Sequence, residues 1–389
     1  MLDNKGLNMK DIKIALVIKT DGLDYDDRVR KEILTIQDLH PQIKFQIFVM
    51  YPENKETTGV TSYGIPFKSV YVPSRDKYPS GQKAALKSYE FYKAIKDELK
   101  EYDALWCAND DTAFVVAFAR IKHILWDLHE LPSSLIGNPI KKWFLKYLFS
   151  RCKVVVHANP QREQYLESIG AISAPSKHFA LRNYPSFEDR DRHYDDKYHQ
   201  FVVWKGEKKC VYLQGLTNGS RAAYESIEAV LQTKDLAAVV VGKFDNESRN
   251  RLEKEHGSRL AERVFFVGKI PQLKIPQYVE LCYMSLVFYK NVRPNNYYCE
   301  ANRFYQSVIL GLPVVVGNNP SMKELVDKYN FGVSIDDDGN DISKIKEGID
   351  KILDNYDIYK DNIKNYRENL TWGTQDSTIK KIVDKLLSN

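Results

Sequence analysis

The residues best suited to chemistry lie at the start of one predicted helix, within residues 299–315. This stretch reads C-E-A-N-R-F-Y-Q-S-V-I-L-G-L-P-V-V. Phe304, Val308 and Ile309 recur with a helical period, which predicts that they share one buried face. The Gly-Leu-Pro turn leads into an apolar strand at Val314–Val316. A charged helix start before a buried strand is typical of nucleotide sites in open α/β sheets, because free backbone N–H groups and the helix dipole favour phosphate.

Two halves of the chain alternate apolar runs with helical patterns, which predicts parallel βαβ units in each. A polar, charged segment at residues 182–209 separates them. The first half predicts strands at Ile12–Ile18, Phe45–Val49, Val70–Val72, Ala104–Cys107, Ile121–Trp126 and Val154–Ala158, with helices from near Asp26 and over Gln82–Lys100. The second half predicts strands at Cys210–Leu213, Ala237–Val241, Val264–Val267, Ser285–Tyr289, Val314–Val316 and Gly332–Ile335, then helix from Ile342 almost to Asn389, interrupted at L-T-W-G-T-Q.

Composition limits the classes of protein that fit. The chain has 389 residues, 43% hydrophobic and 28% charged, with a net charge of +5. These values favour two globular domains and argue against a dedicated nucleic-acid binder. The 5 cysteines are scattered without a C-x-x-C pair, so a zinc ribbon or disulfide framework is not expected. We see no apolar signal segment and no run near the ~18 residues of a membrane span, so a reducing, cytoplasmic location is expected.

Several motifs are missing. No G-x-G-x-x-G follows a strand, and G-x-x-x-x-G-K-[ST], H-E-x-x-H and G-x-S-x-G are absent, which argues against dinucleotide dehydrogenases, P-loop enzymes, zincins and α/β-hydrolases. The sequence Asp24-Tyr25-Asp26 is a D-x-D, a pattern that binds a metal ion in some sugar transferases. Here it follows the first strand, and N-capping of the next helix by Asp26 is the better interpretation.

Four stretches together resemble the GT-B glycosyltransferases of the retaining family GT4. They are A-L-W-C-A-N-D-D from Ala104, I-L-W-D-L-H-E-L-P from Ile124, V-Y-L-Q-G-L-T-N-G-S-R from Val211, and A-N-R-F-Y-Q-S-V-I-L-G-L-P-V-V from Ala301. V-F-F-V-G-K-I-P from Val264 and Trp372 also fall where that family would place them. The resemblance implies two Rossmann-like domains whose parallel sheets face a central cleft, with a C-terminal helix that crosses back to the N-terminal domain.

By this resemblance the second domain binds a nucleoside diphosphate (NDP) sugar. A leaving diphosphate gains negative charge, which arginine forks and N–H dipoles can stabilise. The implied donor-binding residues are Arg221, Lys243, Ile270, Glu300, Asn302, Arg303 and Gln306. The alternatives are that the two arginines form surface salt bridges, that Lys243 is an ordinary exposed lysine and that Asn302 caps its helix. The family's ribose-binding glutamate falls at Gln306, and Glu300 is the nearest carboxylate.

The resemblance also assigns residues to the first domain. His129 would contact the donor sugar or its phosphate, and Glu130 would position an acceptor hydroxyl. Asp110 is the third catalytic candidate, and the acceptor-side candidates are Asp26, Arg28 and Asp111. The alternatives are a loop-stabilising histidine and helix N-caps for Asp110 and Asp111. Asp127 is interpreted as tying its loop to backbone amides.

Residues 138–153 (N-P-I-K-K-W-F-L-K-Y-L-F-S-R-C-K) are basic and aromatic with a helical period. Lys141, Lys142, Lys146 and Arg151 could meet anionic lipid while Trp143, Phe144 and Tyr147 enter the interface, or the helix is a core helix with a solvated basic face. The first interpretation predicts peripheral contact with the inner face of the cell membrane.

The sequence therefore predicts a bilobed α/β enzyme. We expect an N-terminal acceptor domain at 1–195, joined by a helix at about 370–389, and a donor domain at 196–369. The predicted reaction transfers a sugar, with UDP-sugars favoured, to a saccharide or lipid-linked saccharide in bacterial surface polysaccharide synthesis. It retains configuration and uses no cofactor or metal ion, and no nucleic-acid partner is expected. The alternatives are a GT-B nucleotide-sugar epimerase and a non-catalytic GT-B scaffold that binds a nucleotide.

Overall fold

A computed structural model describes residues 11–79, 81–186 and 194–388, and the chain divides into two compact units. Among these residues, unit 1 contains those up to Asn183 and those from Gln375 onward, and unit 2 runs from Tyr184 to Thr374. The first break lies earlier than the predicted boundary at 195, because Tyr184 is buried and packs edge-to-face on Tyr305, with 5.0 Å between ring centroids.

Unit 1 is built on a sheet in the order β3-β4-β2-β1-β5-β6-β7-β8, parallel except for the antiparallel pair β3–β4. Its strands are β1 (Ile12–Lys19), β2 (Ile43–Met50), β3 (Thr57–Val60), β4 (Pro66–Ser69), β5 (Ala104–Ala108), β6 (His123–Leu128), β7 (Val154–His157) and β8 (His178–Ala180). Its helices are α1 (Asp27–Leu39), α2 (Pro73–Lys77), α3 (Ala84–Ile95), α4 (Ala113–Phe118), α5 (Ser133–Ile136), α6 (Pro139–Arg151) and α7 (Pro160–Ser168). The central strands are buried on both faces, which explains their nearly continuous apolar sequences.

Unit 2 has a fully parallel sheet in the order β11-β10-β9-β12-β13-β14. Its strands are β9 (Lys209–Gln214), β10 (Leu236–Val241), β11 (Val264–Gly268), β12 (Met284–Val287), β13 (Val314–Val316) and β14 (Gly332–Ser334). Its helices are α8 (Asp196–Lys205), α9 (Ala223–Gln232), α10 (Asn246–His256), α11 (Ser258–Arg263), α12 (Ile275–Val279), α13 (Pro294–Tyr297), α14 (Asn302–Ile309), α15 (Pro320–Tyr329), α16 (Ile342–Asp354) and α17 (Tyr356–Tyr366).

The last helix of the described chain, α18 (Asp376–Leu387), returns to unit 1. It packs against α1 and β6 and buries Ile379, Ile382, Val383 and Leu386. The carbonyl of Leu386 lies 2.7 Å from Nδ1 of His123 at the start of β6. This packing completes the core of unit 1.

Each sheet has a point where successive strands begin to be added on the opposite side. This reversal lies between β1 and β5 in unit 1 and between β9 and β12 in unit 2. Parallel sheets bind ligands at the carboxyl ends of the two strands that flank such a point. The sheets therefore define one candidate half-site in each unit.

The prediction of two Rossmann-like α/β units with parallel sheets is confirmed. The predicted strand at Val70–Val72 is wrong, because the strand is Pro66–Ser69 and these valines are buried in the connection to α2. The predicted helix at Gln82–Lys100 is shorter and consists of α3 followed by a 3-10 turn at Glu98–Glu101. β3 and β8 are absent from the prediction because they are short edge strands without a clear alternating pattern.

A buried histidine pair between β7 and β8 links the stability of unit 1 to pH. Nε2 of His157 lies 2.8 Å from Nδ1 of His178. Burial lowers the pKa of His157 to about 3 and that of His178 to about 4, from an ordinary value of 6.5. The unfolded chain therefore takes up protons near pH 6.5 that the folded chain does not bind, so stability is full above that pH and falls as the pH drops below it.

We predict that the free energy of unfolding falls by up to about 1.4 kcal/mol per pH unit for each of these protons as the pH drops from 6.5 towards 4. His178→Gln should reduce this slope, because one of the two titrating groups is removed. Denaturant titrations over this pH range measure the slope, with His199→Gln, an exposed histidine in α8 of unit 2, as the control. An unchanged slope in His178→Gln would show that the pair does not set the pH dependence.

Candidate active site

Arg303 spans the switch point of unit 2. Its Nη1 donates to the carbonyl of Gln214, which ends β9, and its Nη2 donates to the carbonyl of Phe288, just after β12, both at 3.0 Å. β9 and β12 pair only at their beginnings, so these carbonyls are left for the guanidinium. The sequence places Arg303 correctly for this task, since it is the second residue of α14.

The charge of Arg303 has no acidic partner among the residues that the structure describes. Its exposed fraction is 5%, and within the described part of the chain it forms no ion pair with a carboxylate. Burial lowers the pKa of its guanidinium. A buried charge is costly without a counter-charge, so this position favours an anionic ligand.

A second arginine, Arg221, also lies beside the ring of Tyr289. The Cζ atoms of Arg221 and Arg303 lie 5.4 and 4.7 Å from the centroid of the Tyr289 ring. Nη1 of Arg221 donates to the carbonyl of Gly215 at 2.6 Å. Gly215 has φ +60°, and a Cβ there would lie 3.2 Å from that same nitrogen, so the close approach of Arg221 suits glycine. Two cations therefore converge near the end of β9, the arrangement expected for a diphosphate.

The other predicted donor-side residues surround α14 or follow strands. Glu300 accepts a hydrogen bond from the hydroxyl of Tyr305, so its carboxylate is held outside the helix. Gln306 is half-buried within α14, and Asn302 is exposed at its first position. After β10 and β11 respectively, Lys243 is exposed and Ile270 packs partly buried against the core.

In unit 1, a cavity of about 460 Å³ opens at the switch point between β1 and β5. Polar and charged side chains dominate its lining: Lys19, Asp21, Asn54, Arg75, Lys87 and Asp111. Nζ of Lys19 lies 3.0 Å from Oδ1 of Asp111. Burial lowers the pKa of Arg75. The mixture of carboxylate, amide and cationic groups suits the hydroxyls of a sugar.

His129 lies just after β6 and is held by three groups. Its Nε2 lies 3.1 Å from Oδ2 of Asp127, and its backbone N–H donates to Oδ1 of Asn109 at 3.0 Å. Its carbonyl accepts a hydrogen bond from Nη1 of Arg162, a buried residue of α7. These three contacts hold His129 in place.

Behind His129 is a buried cluster of two carboxyls and an arginine. Nη2 of Arg28 lies 2.9 Å from Oδ1 of Asp127, its Nε lies 2.9 Å from Oε1 of Glu32, and its Nη1 donates to the carbonyl of Leu181 at 2.9 Å. Arg28 is 5% exposed. An acceptor substrate would therefore contact the groups that cover Arg28. The direct contact predicted between Arg28 and the acceptor stays a prediction.

Two further candidates, Asp26 and Asp110, have partners that the structure shows. Asp26 accepts a hydrogen bond from the backbone N–H of Val29 at 3.3 Å, which confirms that it caps α1. Asp110 accepts a hydrogen bond from the hydroxyl of Ser134 at 2.6 Å, and burial raises the pKa of its carboxyl. Glu130 is exposed beside His129. Neither Asp110 nor Asp111 caps a helix, since the caps before the 3-10 turn and α4 use no aspartate side chain.

Sequence reasoning misjudged some supporting residues. Asp127 contacts the side chains of Arg28 and His129, so the interpretation that it ties the loop to backbone amides is wrong. Glu32 is absent from the predicted site, although its spacing of four residues from Arg28 in a helix was a usable signal. Arg75 and Lys87 lie in a region where the sequence carried no motif. Gln214 acts through its backbone carbonyl and Tyr289 through the face of its ring. Such roles cannot be inferred from residue type alone.

The predicted helix at residues 138–153 is α6, and Asn138 caps it by accepting a hydrogen bond from the N–H of Lys141 at 2.9 Å. Trp143 is 67% exposed and Ile140 is 79% exposed. Lys142 and Arg151 are used within unit 1, where they donate to backbone carbonyls at 3.1 and 2.6 Å. Among the described residues, no helix is long and apolar enough to cross a membrane.

Residues 205–369 match the model of a protein family described as "Glycosyl transferases group 1". No curated protein is detectably similar in sequence. Several solved structures share the fold over nearly the whole chain. Sucrose-phosphate synthase from Thermosynechococcus elongatus has a TM-score of 0.75 at 16% identity, covering 96% of this chain and 99% of that one.

Two further similar structures were solved with or named for a uridine nucleotide. Anabaena Alr3699/HepE, in complex with UDP and glucose, has a TM-score of 0.69 at 14% identity, with 96% and 99% of the two chains covered. The UDP-forming α,α-trehalose-phosphate synthase from Burkholderia xenovorans has a TM-score of 0.73 at 12% identity, with 98% and 100% covered. At these identities the likeness establishes the fold, which is GT-B, as the sequence predicted.

We predict that Arg303→Lys destabilises the protein by about 1–2 kcal/mol, because a single ammonium cannot donate in parallel to the carbonyls of Gln214 and Phe288. Arg221→Lys is the matched control and should cost less, since Arg221 is half-exposed and bonds one carbonyl. Denaturant titration of both variants measures the difference. Equal losses would mean that the bridge across the switch point does not stabilise unit 2.

Proposed function

We propose that this chain uses an NDP-sugar as donor. It belongs through residues 205–369 to the group 1 glycosyl transferases, and it is a glycosyltransferase of the GT-B type. UDP is the favoured nucleotide. The acceptor is a saccharide or a lipid-linked saccharide, and the product contributes to a bacterial surface polysaccharide. The sugar keeps its anomeric configuration, and the reaction needs neither a metal ion nor a cofactor.

The observation that carries this proposal is Arg303, a buried cation at the switch point of unit 2 that has no acidic partner in the described ranges. Breaking the bond between sugar and diphosphate leaves growing negative charge on the phosphate oxygens. Fixed cations that are already in place stabilise such charge without reorganising. Arg221, whose guanidinium also lies near the Tyr289 ring, supplies a second fork for the same diphosphate.

The same arrangement supports the proposal that no metal ion is needed. The arginines provide the charge that a divalent ion supplies in other transferases. The D-x-D carboxylates are also engaged in the fold: Asp26 caps α1, and Asp24 accepts a hydrogen bond from the N–H of Ser62 at 2.7 Å. Retention of configuration is carried over from the resemblance to family GT4, and the leaving phosphate then assists the incoming hydroxyl on the same face of the sugar.

UDP is favoured because the descriptions of two of the similar structures name that nucleotide. The acceptor side of the proposal rests on the polar cavity in unit 1, at the switch point of its sheet. A volume of about 460 Å³ holds a sugar residue, and its carboxylates and amides can bond hydroxyls.

A panel of UDP-, GDP- and TDP-sugars tests the donor proposal by thermal shift and by product analysis with chelator present. Binding of one class and transfer to an added saccharide are expected. Isomerised sugar would identify an epimerase, and failure of every NDP-sugar to bind would contradict the enzyme function and leave a scaffold.

We predict that Gln306→Glu preserves or tightens binding of that donor, since a carboxylate accepts hydrogen bonds from ribose hydroxyls more strongly than an amide does. Gln232→Glu, the same change at an exposed position of α9 in unit 2, serves as the control for net charge. Isothermal titration gives the dissociation constants. A large loss of affinity in Gln306→Glu would show that this position does not contact the ribose.

We predict that Asp111→Asn raises KM for the acceptor about 10-fold while the donor dissociation constant stays unchanged, because Asp111 lines the unit 1 cavity and orients Lys19. Steady-state kinetics with the acceptor found in the panel measures this split. Asp97→Asn, an exposed aspartate paired with Lys100 at 2.7 Å, is the control. Equal acceptor KM values in the two variants would place the acceptor elsewhere.

We also propose that unit 1 contacts an anionic membrane surface through an aromatic strip. This strip consists of Tyr89, Phe114, Phe118, Trp143, Phe144 and Tyr147, whose neighbouring ring centroids lie 5.7 to 6.4 Å apart. Lys93, Lys141 and Lys146 are exposed around it, and Nζ of Lys93 lies 5.9 Å from the Tyr89 ring centroid. Exposed rings flanked by lysines match an interface of apolar chains and anionic headgroups.

We predict that the protein floats with vesicles containing anionic lipid and that Trp143→Ser weakens this binding about 10-fold or more, because a large exposed ring no longer enters the interface. Val203→Ser, which removes an 82% exposed apolar side chain from α8 of unit 2, is the control. If wild type does not float, or if Trp143→Ser floats equally well, the strip does not bind membranes. Concentration-dependent dimerisation without flotation would assign it to a second copy of the chain.

A further inference from the structure

The cluster behind His129 has the features of a positioning device. Asp127 is fully buried at the end of β6, with one oxygen facing Arg28 and the other facing His129. Because both oxygens are engaged by groups on opposite sides, Asp127 has one orientation in which all of these contacts form. The side chain thus transmits the position of α1 to the ring of His129.

The cluster contains more carboxyl groups than cations. Glu32 is 1% exposed, and its oxygens lie within 4.8 Å of the ligand atoms of Asp127 and His129. Two buried carboxyls this close to each other cannot both ionise against a single arginine, so one of them carries a proton. Burial raises the pKa of Glu32 well above its ordinary range, and the nearby Asp127 charge adds to this effect.

Asp127 is the carboxyl that stays ionised. Its own burial would raise its pKa, but the charge of Arg28 and the hydrogen bonds that Asp127 accepts hold the pKa below its ordinary range. Arg28 is the cation of this cluster, and its fork already faces both carboxyls. This makes the group of Glu32, Asp127 and His129 a poor site for a metal ion, although its geometry would permit one.

We propose that Asp127 is a positioning residue that fixes His129 as the neutral tautomer with hydrogen on Nε2, so that Nδ1 accepts a hydrogen bond from a hydroxyl of the substrate sugar. An ionised carboxylate only accepts hydrogen bonds, so the hydrogen between Asp127 and His129 belongs to Nε2. The described residues offer no partner to Nδ1, and the side chain of His129 is 17% exposed.

This inference rests on the proposed sugar transfer and sharpens the role of His129. A nitrogen lone pair attracts a hydroxyl hydrogen but repels the oxygens of a phosphate. His129 is therefore suited to a sugar hydroxyl and not to a phosphate. The backbone bonds from Asn109 and Arg162 hold the same residue, so the lone pair keeps a fixed direction.

Nitrogen-15 NMR of the protein labelled at its 8 histidines tests the tautomer without substrate. His129→Gln identifies the resonance pair. In wild type at neutral pH we expect Nε2 to carry the hydrogen and Nδ1 to carry none. Finding the hydrogen on Nδ1, a doubly protonated ring, or a stoichiometric shift of the His129 signals by Zn²⁺ would overturn the proposal. This measurement does not depend on the folding of any Asp127 variant.

Asp127→Asn provides the second test. In this variant Arg28 still donates to the side-chain oxygen, so the amide NH₂ faces Nε2 of His129. Because the NH₂ group donates, Nε2 must accept, and the ring hydrogen moves to Nδ1. We expect kcat to fall by about 10²-fold or more, with the donor KM changed less than about 3-fold. Glu32→Gln should keep the wild-type tautomer, because a neutral amide replaces a neutral acid.

The outcomes separate this proposal from the proposed function. An unchanged tautomer in Asp127→Asn, with only a lowered melting temperature, would show that Asp127 is structural. A switched tautomer in Glu32→Gln would show that the proton is not on Glu32 and would overturn the account of the cluster. If the NMR results hold but no NDP-sugar is turned over, the positioning of His129 stands and the sugar-transfer function fails.

Discussion

A guanidinium buried at the end of a parallel sheet must find acceptors for its donors, and this constraint shapes both units. Arg303 and Arg28 are equally buried at 5% exposure. Each donates to a backbone carbonyl beyond the hydrogen-bonded part of a sheet. They differ in their counter-charges. Arg28 faces two carboxyls, whereas Arg303 faces carbonyl oxygens and a tyrosine ring.

This difference assigns distinct tasks to the two cations. The charge of Arg28 is balanced internally, so it serves to orient its neighbours and leaves little attraction for an anion. The charge of Arg303 is unbalanced and remains available to a ligand, at some cost in the stability of the ligand-free protein. Strain and unsatisfied charge of this kind are common where a protein binds its substrate.

Much of the fold follows from the sequence because parallel strands are buried on both faces and read as apolar runs. In unit 2 each predicted strand overlaps the observed one, and Val314–Val316 has the same bounds. The edges of unit 1 were harder to predict, since the four residues of β3 are mostly exposed and make one antiparallel pairing. At Val70–Val72 the apolar run reflects burial in a connection, which periodicity cannot distinguish from a strand.

The site was predictable where a side chain acts through its own charge and less so elsewhere. Arg221, Arg303 and His129 stand out by type and position after strands. Glu32 and Asp127 gain their significance from a contact between α1 and β6, which no local pattern encodes. The role of Glu300 also depended on a contact, because the hydroxyl of Tyr305 holds its carboxylate.

The return of α18 to unit 1 has a consequence for how the protein is made. Unit 2 is one uninterrupted stretch and can fold as soon as it leaves the ribosome, whereas unit 1 begins first and finishes last. Until residues 376–387 arrive, the apolar surface of α1 and β6 that they cover stays open to water. Until then the nascent chain carries an exposed apolar surface, which is the kind of surface that chaperones bind. Loss of residues 376–387 would therefore harm the half of the protein that was made first.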